Sequence, residues 1–128
     1  HLASLEYDVH AIAQRLDEFP NFAVDTSARL LDLALQDTTK VKSFVETYRD
    51  RILFGTDIVD DTPWSTLPAS EVAAKAPRTR DHIAGELAWY TAGAEVQLRD
   101  RTVAGLGLAE DVFQDVVRRN AERWYPGL

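Results

Sequence analysis

Two carboxylates and one imidazole stand where chemistry could be done. The run Arg51-Ile52-Leu53-Phe54-Gly55-Thr56-Asp57 is apolar and then stops abruptly in Gly-Thr-Asp. Phe22-Ala23-Val24-Asp25 repeats that pattern in a shorter form, and His1 stands at the head of the chain. Imidazole and carboxylate together are a ligand set for a hard or borderline divalent metal. Such an ion lowers the pKa of a bound water to roughly 7 and supplies a nucleophile at neutral pH. Each residue also has an ordinary reading. Asp57 can begin a turn or cap a helix, Asp25 with Thr26 and Ser27 behind it can simply close a turn, and His1 can be no more than a terminal residue. His10 and His82 read as helix residues.

The elements that would position these groups follow from periodicity. Asp8 is placed to cap a helix carrying Val9, Ile12, Ala13, Leu16 and Phe19 at helical spacing, ended by Pro20-Asn21. Phe22–Asp25 reads as a short strand and Arg29 to Leu35 as a helix. Asp37 or Thr38 caps a second helical run with Val41, Phe44, Val45 and Tyr48 on one face. Ile52–Asp57 lacks polar alternation, so it reads as a strand buried on both faces. Helix, strand, helix, strand implies parallel strands with crossover helices, an α/β class. Ligands in such proteins gather at the carboxyl ends of the strands, where Asp25 and Asp57 lie.

Residues 58 to 80 contain Pro63, Pro68 and Pro77, and read as a long loop with room for a short helix after Pro68. Trp64 is the pocket candidate there because it follows Asp57 in that loop. Trp89 and Trp124 read as packing residues of amphipathic helices. Arg78 to Ala92 reads as a helix with Ile83, Leu87 and Tyr90 near one face. Glu95–Leu98 with Thr102-Val103 is either a small hairpin or an extended segment. Ala109 to Trp124 reads as a closing helix with Val112, Phe113, Val116, Val117 and Ala121 inward.

With 128 residues and 45% hydrophobic content, the chain is long enough for one domain with a core. The net charge of −7 argues against nucleic acid and against anionic membrane surfaces as partners. No cysteine is present, which excludes disulfides, thiolate metal sites and cysteine nucleophiles and fits a cytoplasmic protein. No apolar run is long enough to span a bilayer. The acidic group Asp57, Asp60, Asp61 does not have EF-hand spacing, and there is no phosphate loop, Gly-x-Ser-x-Gly or dinucleotide fingerprint.

Three stretches together carry a family resemblance: His1-Leu2-Ala3-Ser4, then Phe19-Pro20-Asn21-Phe22-Ala23-Val24-Asp25-Thr26-Ser27-Ala28, then Asp50-Arg51-Ile52-Leu53-Phe54-Gly55-Thr56-Asp57. They resemble the C-terminal half of the amidohydrolase-2 family, metal-dependent hydrolases of the amidohydrolase superfamily related to aminocarboxymuconate-semialdehyde decarboxylase. Gly105-Leu106-Gly107-Leu108 and Asn120-Ala121-Glu122-Arg123 look like that family's closing segment. The resemblance implies a (β/α)8 TIM barrel with its site on the carboxyl face. Residues 1–128 would then be the C-terminal portion of one barrel domain, from the end of the sixth strand to the closing helix. His1 would match the histidine ending the sixth strand, as a metal ligand or as an acid/base and carbonyl-polarising group. Asp57 would match the metal-binding aspartate that also takes a proton from water. Ala3 stands where the family commonly has Gly.

The cofactor implied is a divalent ion, zinc first and manganese or another ion as the alternative. The family's first-strand His-x-His and fifth-strand His would precede His1, so the expectation is a piece of a larger enzyme, inactive alone, with exposed strand edges and apolar helix faces. The parent would be a cytoplasmic homo-oligomer that hydrolyses a C–N or C–O bond of a small-molecule substrate. One alternative is a non-oxidative decarboxylase with the same metal set. The other is a non-catalytic fragment or partner-binding α/β module that has no need of Asp57.

Overall fold

In a computed structural model, which describes residues 1–127, β1 (Val24–Asp25) and β2 (Ile52–Leu53) form a parallel pair. The Val24 N–H donates to Arg51 O at 2.9 Å and the Thr26 N–H to Leu53 O at 3.0 Å. Ile52 and Leu53 are both buried, as an uninterrupted apolar strand requires. Before β1 comes α1 (Val9–Glu18), and between the strands run α2 (Leu30–Ala34) and α3 (Thr38–Thr47). Asp8 caps α1 by accepting from the His10 N–H, and Asp37 caps α3 by accepting from the Lys40 N–H, each at 2.9 Å. Val9, Ile12 and Leu16 of α1 and Val41, Phe44 and Val45 of α3 are buried on the faces that their spacing predicts. Phe19 departs from that pattern. The chain leaves α1 in extended backbone there, and the ring is exposed.

The strand expected through Asp57 ends at Leu53. Beyond it the backbone turns away, and Asp57 has a left-handed φ of 56°. The loop expected over 58–80 is also shorter than its prolines suggest. A 3-10 turn, Trp64–Thr66, precedes α4 (Ala69–Thr91), which runs straight through Pro77. Pro77 removes the N–H that would bond Ala73 O, but both residues are exposed, so water can take the freed carbonyl. On α4 the buried residues are Glu86, Trp89 and Tyr90, while Ile83 and Leu87 are only half-buried.

Residues 95–104 form an antiparallel hairpin, β3 (Glu95–Leu98) and β4 (Arg101–Ala104), in a second sheet separate from the first. The hairpin fastens to the end of α4. Trp89 Nε1 donates to Ala104 O at 3.1 Å, and the Leu106 and Leu108 N–H groups donate to Trp89 O and Tyr90 O at 2.8 and 2.9 Å. These bonds satisfy carbonyls that the last turn of a helix leaves open. Gly105 fits because a Cβ there would lie 2.3 Å from Ala92 O.

The expected closing helix is continuous but changes register. It comprises α5 (Glu110–Gln114), a π-helical segment over Asp115–Arg119, and α6 (Asn120–Trp124). The Asn120 N–H bonds Asp115 O, five residues back. Val116 O instead accepts from the Phe54 N–H at 2.9 Å, and Asn120 Nδ2 donates to Arg49 O and Ile52 O at 2.6 and 2.8 Å. The outer edge of β2 is therefore covered by a helix, against the expectation of an exposed edge. The chain is mixed α/β with two parallel strands, and the core is one cluster reaching from Leu2 to Val116. Among the described residues no helix is long and apolar enough to cross a membrane.

Candidate functional site

The ends of β1 and β2 meet the first turn of the chain. Leu2 is fully buried and pins that turn, a 3-10 element over Leu2–Ser4 whose three residues have φ of 48°, 54° and 59°. Left-handed backbone costs a non-glycine residue roughly 1–2 kcal/mol, so this is strain, and strain of this kind clusters at functional sites. Leu2 points inward, and the adjacent His1 side chain is about half exposed.

His1 lies between the two carboxylates. Its main-chain nitrogen donates to Asp25 Oδ2 at 2.9 Å, and its Nε2 is 3.8 Å from Asp57 Oδ1. Asp25 Oδ1 accepts from the Ser27 N–H at 3.0 Å. Burial raises the Asp25 carboxyl, and hydrogen bonds from the Ser27 side chain and N–H lower it. The His1, Asp25 and Asp57 side chains are 41–49% exposed, so they are open to a ligand and contribute little as ion pairs.

The pair His1 and Asp57 was expected from sequence, and the structure brings it together. Two donors that each bind zinc at about 2.0–2.1 Å stand no more than about 4.2 Å apart, and about 3.3 Å at a tetrahedral angle. The 3.8 Å separation is within that limit and needs only a small closure. Among the described residues, no group of three or more His, Asp or Glu side chains could hold a metal ion.

Trp64 is not brought to the pair. Its indole N–H donates to Asp60, which also pairs with Lys75 Nζ at 2.6 Å, and the ring closes one wall of an apolar hollow of about 480 Å³ against Ala76, Ile83 and Leu87 of α4. Neither His1 nor Asp57 lines that hollow. A larger groove of about 1120 Å³ lies between α1 and α3, walled by Tyr7, His10, Lys40, Phe44 and Tyr48, and is also separate from the pair.

The buried residues beneath the site had no sequence signal of their own. Thr26 is 1% exposed, and its Oγ1 accepts from the Tyr90 hydroxyl at 3.2 Å and from the Gly55 N–H at 3.5 Å. Gly55 passes so close to β1 that a Cβ there would lie 2.1 Å from Ser27 Oγ. The Thr26-Ser27 pair was legible only as a turn. Compared with known proteins, the chain matches no protein-family model, no curated protein and no solved structure.

Proposed function

We propose that this chain is the C-terminal part of a metal-dependent hydrolase built on a (β/α)8 barrel, with β1 and β2 as its seventh and eighth strands; in the whole barrel a first strand takes the outer edge of β2 that Val116 and Asn120 occupy here. The observation that carries the reading is the 3.8 Å approach of His1 Nε2 to Asp57 Oδ1 at the carboxyl ends of adjacent parallel strands. The left-handed Ala3, at φ 54°, supports it, because the resemblance places a glycine there and glycine suits that backbone.

In this proposal His1 and Asp57 supply two ligands, and the others come from residues outside 1–128. The bound divalent ion, zinc or manganese, supplies Lewis acidity toward a carbonyl of a small-molecule substrate. Asp57 takes the proton of the attacking water and returns it to the leaving group, and His1, as a ligand, would hold the ion in place against the carbonyl. Asp25 holds the main chain of His1 and so orients that side chain. The homo-oligomeric parent and its cytoplasmic location belong to the same proposal.

The test is made on the longer protein. Coding sequence read in frame upstream of His1 should contain a His-x-His and a further midway His. In that protein Asp57→Asn, which keeps a residue tolerant of left-handed backbone, should lower turnover by at least a hundredfold and weaken metal binding without unfolding the chain. Full activity in the Asp57→Asn protein would remove Asp57 from the reaction. Hydrolysis or decarboxylation by residues 1–128 alone would overturn the claim that the site is completed from outside them.

A further inference from the structure

The ends of β1 and β2 each carry a candidate residue, yet only Val24–Asp25 and Ile52–Leu53 are laddered. Beyond Leu53 the backbone of β2 leaves the ladder, and something else must hold Gly55–Asp57 against β1. We infer that Thr26 is the positioning residue that sets the distance between the two strand ends, and through it the spacing of His1 and Asp57. The inference rests on reading His1 and Asp57 as the working pair, and it adds a residue that neither the motif nor the resemblance singles out.

Three observations converge on Thr26. It is fully buried, so its hydroxyl has no water to bond, and a buried hydroxyl must find protein partners. Those partners come from two other elements: the Gly55 N–H beyond β2, at the outer limit of a hydrogen bond, and the Tyr90 hydroxyl of α4. Tyr90 is itself packed on several sides. It is fully buried, its ring lies edge-on to Phe54 at 6.2 Å and to Trp89 at 5.0 Å, and burial raises its phenol well above the usual range, so it remains a donor. The third observation is the absent side chain of Gly55, which lets the strand ends come this close. Thr26 directly follows Asp25, and Gly55 lies two residues before Asp57. A shift of the Thr26–Gly55 contact therefore moves Asp57 relative to the groups fixed on β1, and His1 is among those, through its bond to Asp25.

The test uses the 128-residue chain without metal and reads two NMR quantities: amide exchange at Gly55, and the nuclear Overhauser contact between the His1 ring and the Asp57 β-protons. Thr26→Val keeps the shape and removes the acceptor. We expect Gly55 exchange at least fivefold faster than in the wild type and loss of most of the His1–Asp57 contact. Thr26→Ser should return both to within twofold of wild type, a rescue that general loosening of the core would not produce. A folded Thr26→Val with both quantities unchanged would overturn the inference. If Thr26→Val does not fold cooperatively, Tyr90→Phe decides in its place, since it removes the donor that orients the Thr26 hydroxyl but keeps the ring; unchanged Gly55 exchange there is equally adverse. The ligand reading is tested separately with manganese(II) on the longer protein, which supplies the remaining ligands. The ion should broaden His1 and Asp57 resonances in the wild type and not in Asp57→Asn. Absence of that broadening counts against the ligand roles alone, whatever the metal-free measurements show about Thr26.

Discussion

The Asn120 side chain reaches Ile52 O at 2.8 Å, so a helix residue stands where a neighbouring strand would otherwise pair with β2. Asn120 is fully buried, and its amide also serves Arg49 O. Asn120→Ala leaves both carbonyls short of a partner, that of Ile52 away from water. The expected loss of stability is about 1–3 kcal/mol, read as a lower urea midpoint with an unchanged slope. A smaller slope would mean instead that the closing helix had come away from β2.

The same helix is tied to the turn between α3 and β2 through Asp115, and that tie sets an acid limit. Burial would raise the Asp115 carboxyl, but hydrogen bonds from Arg49 at 2.6 Å and Arg119 at 3.1 Å outweigh it and hold the group below its ordinary value of 3.8. Its folded pKa is thus lower than its unfolded one. The stability it contributes is present above 3.8 and is lost as the pH falls through the depressed folded value. Asp115→Asn should lower stability at neutral pH and flatten the acid limb of a pH–stability curve. An acid limb of unchanged steepness would show that Asp115 does not set it.

Glu86 works in the opposite direction. It is buried on α4, 3.1 Å from His82 Nε2 and 3.8 Å from Arg99 on the hairpin turn, and its Oε2 has no hydrogen-bond partner. Burial raises its carboxyl above the ordinary value of 4.5, and the pull of His82 and Arg99 only partly offsets this. A carboxyl raised on folding gives stability that is present below its unfolded pKa and lost as the pH rises through the folded one. Relative to Glu86→Gln, the wild type should therefore lose stability as the pH climbs past 4.5. Parallel pH curves for the two proteins would count against this.

Ala3 offers a stabilising change. Its φ of 54° costs an alanine roughly 1–2 kcal/mol, and glycine avoids that strain while adding back about 0.5–1 kcal/mol of unfolded-chain entropy. Ala3→Gly should gain about 0.5–1 kcal/mol, a rise of a few degrees in Tm. A fall in Tm would mean that the Ala3 methyl packs more than its backbone strains.

Reading the sequence reached α1 and α3 because capping and spacing agree there: Asp8 and Asp37 each precede apolar residues that recur every third or fourth position. It divided α4 into a short helix after Pro68 and a second from Arg78, because Pro77 marks a break in most settings, yet here it stands on an exposed face inside one helix. The π-helical register of 115–119 leaves no trace in residue spacing, since it depends on which carbonyl Phe54 takes. At the site, His1 and Asp57 stood out through motif and resemblance. Thr26 and Tyr90 did not, because a hydrogen bond across 64 positions has no local pattern. Trp64, the pocket candidate, lines a hollow on α4 to which neither His1 nor Asp57 contributes.

The bonds from residues 49–52 to Asn120 join positions 68 and 71 apart, and those from Asp50 to Arg123 and Trp124 join positions 73 and 74 apart. Closing a loop of that length costs roughly 4 kcal/mol of chain entropy before any contact repays it. Helices α1 and α3 can form early from local contacts, but β2 waits for a partner from the far end. During synthesis, a chain that has not yet reached residue 120 holds a nearly complete set of helices around an unfinished strand. That half-made state is where a chaperone would find its substrate, and the order of folding is written into the distance between Ile52 and Asn120.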